Sequence, residues 1–160
     1  MVVAPEINEA PHPHELPRAF AQRMALEKLS PKDDAFVIAA DTVVAVGRRI
    51  LHKTDTPDTA AHYLRLLSGR RHRVYSAVAI RAPSGKTAYR VVTSVVGFAR
   101  LDEQQLKTYL ASHEWQGKAG GYAIQGHAAR FIDHLSGSYS GVVGLPLHET
   151  HNLLTGLGWR

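Results

Sequence analysis

The longest apolar run in this chain, Val37 to Val46 (Val-Ile-Ala-Ala-Asp-Thr-Val-Val-Ala-Val), is β-branched and of strand length, the pattern of a strand covered on both faces. Upstream of it, Ala21, Met24, Ala25 and Lys28 fall at i, i+3, i+4 and i+7 and so share one face of a helix. Pro17 suits the first position of that helix, and Ser30-Pro31 sets its end near Leu29. Before it, Ala4 to Pro17 is polar and Pro-rich, which reads as an extended or looped opening. After the apolar run, Gly47-Arg48-Arg49 is a turn and Ile50 to Lys53 a short return strand. The clearest helix follows, with Thr56 as N-cap, Pro57 and Asp58 in its first turn, Gly69 as its stop, and Ala60, Tyr63, Leu64 and Leu67 as its apolar stripe.

Val74 to Ile80 and Thr87 to Phe98 read as two strands joined by a turn at Pro83-Ser84-Gly85, hence an antiparallel hairpin. Asp102 can cap a further helix with Leu106, Tyr109 and Leu110 on its inner side. Gly117 to Gly126 is glycine-rich, Gly137 to Pro146 is loop-like, and a last helix spans about Leu147 to Leu154. Interleaved helices and strands with an antiparallel pair predict one α/β domain over residues 1–160, a mixed sheet flanked by helices.

Composition narrows the function more than the fold. With 160 residues and 44% hydrophobic content the chain can bury a core. The absence of cysteine removes disulfides, thiolate catalysis and Cys-based zinc sites, and is compatible with a cytoplasmic setting. No apolar segment approaches the roughly 18 residues of a membrane span, and the N-terminus has no signal-peptide pattern. A net charge of +5 favours polyanionic partners in general. The only dense basic cluster, Arg70 to Arg73, reads as a solvated cap behind a helix end, with nucleic-acid contact as the sharper and weaker alternative.

Asp41 is the first candidate for chemistry. A carboxylate inside an apolar strand is costly unless a metal, a cation or hydrogen-bond donors meet it, so it is either a functional group or a satisfied structural one. Lys28 ends the buried stripe of its helix, where spacing alone favours a solvated lysine over an inward one. Gly117-Lys118-Ala119-Gly120-Gly121 is neither a Walker loop nor a dinucleotide fingerprint; its glycines suit a ligand-binding loop and an ordinary turn equally. Ten histidines include none at metalloprotease spacing, and no Gly-x-Ser-x-Gly elbow is present. What remains is Asp41, Lys28 and Lys53, dispersed groups that would suit a divalent metal and a polyphosphate if the fold brought them together.

The order of segments resembles the Maf family of nucleoside triphosphate pyrophosphatases. The resemblance is carried by Ile7-Asn8-Glu9, Ala25-Leu26-Glu27-Lys28, Ala40-Asp41-Thr42-Val43-Val44, Ile50-Leu51-His52-Lys53 and Leu66 to Arg70 with Val74-Tyr75. Its longest motifs are Gly117-Lys118-Ala119-Gly120-Gly121-Tyr122-Ala123-Ile124-Gln125-Gly126 and Gly137-Ser138-Tyr139-Ser140-Gly141-Val142-Val143-Gly144-Leu145-Pro146. It implies a fold of the Maf and inosine-triphosphatase type, and hydrolysis of a nucleoside triphosphate to the monophosphate and pyrophosphate with Mg²⁺ or Mn²⁺. By this resemblance Asp41 is the proton acceptor, Glu9 and Asp41 lie at the metal, and Lys28 and Lys53 bind the triphosphate. Thr42 and Gln125 match the positions that mark the branch acting on dTTP and UTP.

The family's opening strand and Ser-x-Ser-Pro-Arg-Arg motif have no counterpart before Ile7, which implies a chain short at its N-terminus, with the first strand and helix missing. That leaves an active pyrophosphatase, an impaired nucleotide-binding protein of the same fold and, last, a nucleic-acid-binding protein as the functional expectations. A homodimer is an open alternative for its assembly, and no membrane partner is expected.

Overall fold

The computed structural model describes residues 6–32 and 34–160; the first two residues of the expected extended opening, Ala4 and Pro5, lie outside them. From Glu6 to Leu16 the chain has no helix or strand, as the Pro-rich composition predicts. Helix α1 (Pro17–Glu27) starts at the expected proline and stops two residues short of Leu29, with Lys28 as its C-cap. Strand β1 (Val37–Val46) has the predicted bounds. The expected return strand divides into β2 (Arg49–Leu51) and β3 (Lys53–Thr54), because His52 is the corner at which the chain leaves one sheet for another. Helix α2 (Pro57–Leu67) has Thr56 as its N-cap, accepting the Thr59 N–H.

Strand β4 (Arg71–Arg81) begins three residues before the predicted start, so Arg71 to Arg73 belong to a strand and not to a cap behind α2. Arg71 and Arg73 point to solvent and His72 points into the core, the alternation a strand imposes. Strand β5 (Thr87–Phe98) matches expectation, and α3 (Glu103–Ala111) carries a full capping box between Asp102 and Gln105. A two-residue strand, β6 (Lys118–Ala119), a 3₁₀ turn (His127–Phe131) and β7 (Ile132–Ser136) have no clear periodic signal in the sequence. The segment read as a loop before Pro146 contains a short helix, α4 (Tyr139–Val143), followed by α5 (Leu147–Gly156).

The main sheet has the order β2-β1-β4-β5-β7, and β3 pairs with β6 in a separate ladder. Every ladder among the described residues is antiparallel, which corrects the expected mixed sheet while the α/β class with flanking helices holds. Alternation sorts the sheet's side chains. Val43, Ala77 and Ala79 pack under Phe20, Ala21, Met24 and Ala25 of α1. On the opposite face Val44, Val74 and Val96 join α2, α3 and the Tyr122 region, while Val78 and Ile80 meet Leu153 of α5.

β1 departs from the expected strand covered throughout. Its C-terminal half is buried, but Ile38 is 45% exposed. The cause is its edge: β2 pairs only with Val44 to Val46, so among the described residues the edge preceding Val44 has no strand partner. An open strand edge beside a two-layer core forms a cleft wall.

Two features of this core have measurable consequences. Gly120 has φ +69°, and a Cβ there would lie 2.8 Å from Val44 Cγ1. Gly120→Ala should therefore lower stability by about 1–3 kcal/mol, seen as a lower urea midpoint at unchanged slope. His72 is buried, and burial pushes its imidazole down to about 4 from an ordinary 6.5. The unfolded chain takes up this proton first as pH falls, so the group's contribution to stability is full above 6.5 and declines towards 4. The loss amounts to about 3 kcal/mol, and His72→Phe should flatten the stability profile across that window.

Candidate functional site

The cleft wraps around the open edge of β1. It has two lobes of about 230 and 240 Å³, which share Asp41, Thr42, Lys53 and Ala119 as their common wall. Together they reach the size of ordinary small-molecule sites, roughly 300–1,000 Å³. Because successive strand residues face opposite ways, Asp41 lies on the α1 side of β1 and Thr42 on the other. Both are reachable only because no strand covers this stretch of edge.

Four charged side chains converge here. Lys28 Nζ donates to Asp41 Oδ1 at 2.5 Å and lies 2.9 Å from Glu9 Oε1. Lys53 Nζ is 3.8 Å from Glu9 Oε2. The register of two elements makes the first contact: Lys28 caps α1 where that helix ends over β1, and a cation is favoured at a helix C-terminus. The solvated reading of Lys28 is thereby replaced, since its side chain is only 16% exposed. Lys53 is held by the β3–β6 ladder opposite Ala119, which also brings the glycine-rich segment to the cleft.

Glu9 arrives on a segment without regular structure, and Arg23 is what fastens that segment. Its guanidinium forks onto Glu15 with two bonds of 2.8 Å and donates to the Ala10 carbonyl at 3.0 Å. The Arg23 hydrogen bonds hold the Glu15 carboxyl down at about 2. No periodic signal in the sequence marks this anchor. The pair spans an irregular segment and a helix, and only their packing joins them.

Electrostatics distinguish the two carboxylates. Burial pushes the Asp41 carboxyl above the ordinary aspartate range, and the Lys28 hydrogen bond only partly offsets it. The more exposed Glu9 is held below its usual range, chiefly by its hydrogen bond from Lys28. Burial opposes the charge of Lys28, but its bonds to Asp41 and Glu9 outweigh that and raise its pKa. The arrangement is a buried carboxylate of raised basicity beside a fixed cation, with Asp41 Oδ2 free of any protein hydrogen bond among the described residues.

Gln125 lines the first lobe together with Thr42, Tyr122 and Ala123. It makes no direct contact with the charged group. The outer wall is Val142 to Gly144, pinned to the sheet by serines: Ser76 Oγ donates to the Gly141 carbonyl at 2.6 Å, and Ser94 Oγ accepts the Ser138 N–H at 2.9 Å. Lys118 also lines this lobe, a third lysine given no separate role by the sequence reading, although its place beside Gly117 and Gly120 hinted at it. Of the glycines there, Gly117 lines the cleft, whereas Gly120 and Gly121 approach Val44 and Ala60 and serve packing.

The described residues contain no cluster of three or more His, Asp or Glu side chains able to hold a metal on their own. Glu9 and Asp41 each spend one oxygen on the Lys28 ammonium, and Asp41 Oδ2 is left without a protein partner among the described residues. That donor set fits a hard divalent ion of the Mg²⁺ type, which is bound by one or two carboxylates with phosphate and water completing its shell. No helix of the described residues is long and apolar enough to cross a membrane.

Known proteins share this chain's sequence over most of its length. The family described as Maf-like protein matches residues 1–157. The dTTP/UTP pyrophosphatase of Maricaulis maris is 56% identical over 156 residues, covering 96% of this chain and 75% of that protein. The dTTP/UTP pyrophosphatase of Caulobacter vibrioides is 53% identical over 161 residues, covering 97% and 82%. A nucleoside triphosphate pyrophosphatase of Anaplasma phagocytophilum is 50% identical over 159 residues, again covering 97% and 82%. A family match across nearly the whole chain, and relatives at half identity or more, establish that this chain belongs to the Maf family.

Proposed function

We propose that this protein hydrolyses dTTP and UTP to the nucleoside monophosphate and pyrophosphate in the cleft at the open edge of β1. The observation that carries this reading is the convergence of Asp41, Lys28, Glu9 and Lys53 on one cleft, together with relatives named for that activity. A basic cleft also accounts for part of the net charge of +5 without a nucleic-acid partner. The absence of cysteine accords with the cytoplasm as the site of action.

In this mechanism Asp41 accepts a proton from water as the water oxygen bonds to the α-phosphorus. The bridging bond between the α and β phosphates breaks, and pyrophosphate leaves with the electron pair. Burial suits Asp41 to the task, because a carboxylate whose pKa is raised is a stronger base. Lys53 is exposed enough to reach phosphate oxygens as a point charge, and Lys28 holds Asp41 in position while adding positive charge beside it. Glu9 and Asp41 would hold Mg²⁺ or Mn²⁺, which would supply charge neutralisation for the triphosphate. Thr42 and Gln125, which both line the first lobe, would meet the base and sugar.

The assay is pyrophosphate release from dTTP and UTP with Mn²⁺ present. Release is expected, and saturable nucleotide binding without release would instead identify a binding protein of the same fold. Asp41→Asn keeps the shape and removes the base, so kcat should fall by roughly 10²–10⁴. Undiminished turnover would assign the proton to another group. Lys53→Ala, at an exposed position away from the core, should mainly raise KM for the triphosphate and leave the folded protein intact.

A further inference from the structure

We infer that Glu114, which lies outside the cleft, is a positioning residue for nucleoside recognition: it clamps the Gly126–His127 peptide and so fixes the backbone that presents Gln125. The inference rests on the cleft reading above. Glu114 Oε2 accepts the His127 N–H at 2.7 Å. A Cβ added at Gly126 would overlap the Glu114 carboxylate, with Oε1, Cδ and Oε2 as its three nearest atoms. The carboxylate therefore lies against this peptide.

Gly126 is not required here by backbone conformation. Its φ is −106° and ψ −152°, extended values open to residues other than glycine. A side chain at 126 would have to displace the Glu114 carboxylate from its bond to the His127 N–H. This separates it from Gly117, Gly120 and Gly121, whose φ values of +65°, +69° and +75° call for glycine on their own account.

The clamp has a rigid base. Glu114 precedes Trp115, which is 2% exposed and donates its indole N–H to the Leu110 carbonyl at 2.9 Å. The Glu114 N–H itself reaches Ser112 Oγ at 3.3 Å. From this base a charged acceptor meets the first N–H of the 3₁₀ turn at His127, a charge-assisted bond stronger than one between neutral groups. The other end of the segment is held from the core, where Tyr122 Oη and His72 Nε2 are 2.7 Å apart. Between these anchors Gln125 is exposed, lines the cleft and has no side-chain hydrogen bond of its own among the described residues, so the protein holds it through its backbone alone.

Glu114 touches neither the Lys28–Asp41 pair nor Lys53, so loosening it should affect recognition of the nucleoside and spare the triphosphate. The test compares Glu114→Ala, Glu114→Gln and Gly126→Ala with the wild-type protein. It reads kcat and KM for dTTP, and the inhibition constant of inorganic tripolyphosphate, which has no nucleoside. Glu114→Ala and Gly126→Ala should raise KM for dTTP on the order of tenfold, the factor expected from about one such hydrogen bond. Their kcat and tripolyphosphate inhibition should stay within about twofold of wild type. Glu114→Gln keeps an acceptor oxygen and should recover most of the KM.

An unchanged KM in both alanine variants overturns the inference. So does a tripolyphosphate constant that worsens in parallel with KM, or a glutamine variant no better than alanine. Amide exchange at His127 reads the clamp without any ligand and should accelerate in Glu114→Ala. If the wild-type protein binds neither dTTP nor tripolyphosphate, the cleft reading fails and the recognition role falls with it, while the exchange result still decides whether the clamp exists.

Discussion

Lys28 and Asp41 stand 13 residues apart in the chain and 2.5 Å apart in the fold, and each makes the other tolerable in its place. Asp41 sits in an apolar strand with its side chain 11% exposed, and Lys28 closes a helix over it. Removing either partner from such a pair leaves an uncompensated charge, a loss of about 3–5 kcal/mol in other buried pairs. Apolar residues of similar volume would serve stability as well or better. The stability argument alone thus gives no reason for an ion pair at this position, whereas the proposed proton transfer to Asp41 would call for a basic carboxylate beside positive charge.

The rest of the fold can be understood as the support of that pair. The apolar face of α1 lies on β1, β4 and β5 and delivers its C-cap to Asp41. The Arg23–Glu15 fork ties the irregular opening to α1 and brings Glu9 within reach of the same ammonium. The corner at His52 sends the chain from the main sheet into the small β3–β6 ladder, which carries Lys53 to the other side. A cleft needs a place where the sheet is left uncovered, and β1 provides it by losing β2 ahead of Val44. The same absence that exposes Ile38 makes Asp41 and Thr42 reachable from opposite faces of one strand.

Much of this was legible in the residue pattern. β1, α2 and β5 follow the expected bounds because their signals are local: an apolar run between turns, a Thr-Pro-Asp start, and a second run after a Pro-Ser-Gly turn. The segments missed are those whose structure depends on partners. β7 is a strand through its ladder with the end of β5, where it crosses an irregularity at Gly97 and Phe98. β6 is two residues long and exists through β3 alone. Helix α4 forms over a Gly-Ser-rich stretch that reads as loop, held by Ser138 at its N-terminus and by Ser76 from the sheet.

By itself the sequence determined the kinds of group available: one carboxylate where apolar residues belong, lysines at separated positions, no cysteine, and ordered motifs that tie the chain to its relatives. Periodicity could set which face of an element a residue occupies, because that depends only on the 3.6- and 2-residue repeats. It could not decide whether Lys28 pointed to water or inward, since both directions satisfy the same spacing. Tertiary structure made that choice by ending α1 over the open edge of β1. It also set the Glu114 carboxylate against Gly126, a contact between residues twelve apart that lies beyond the reach of any local pattern.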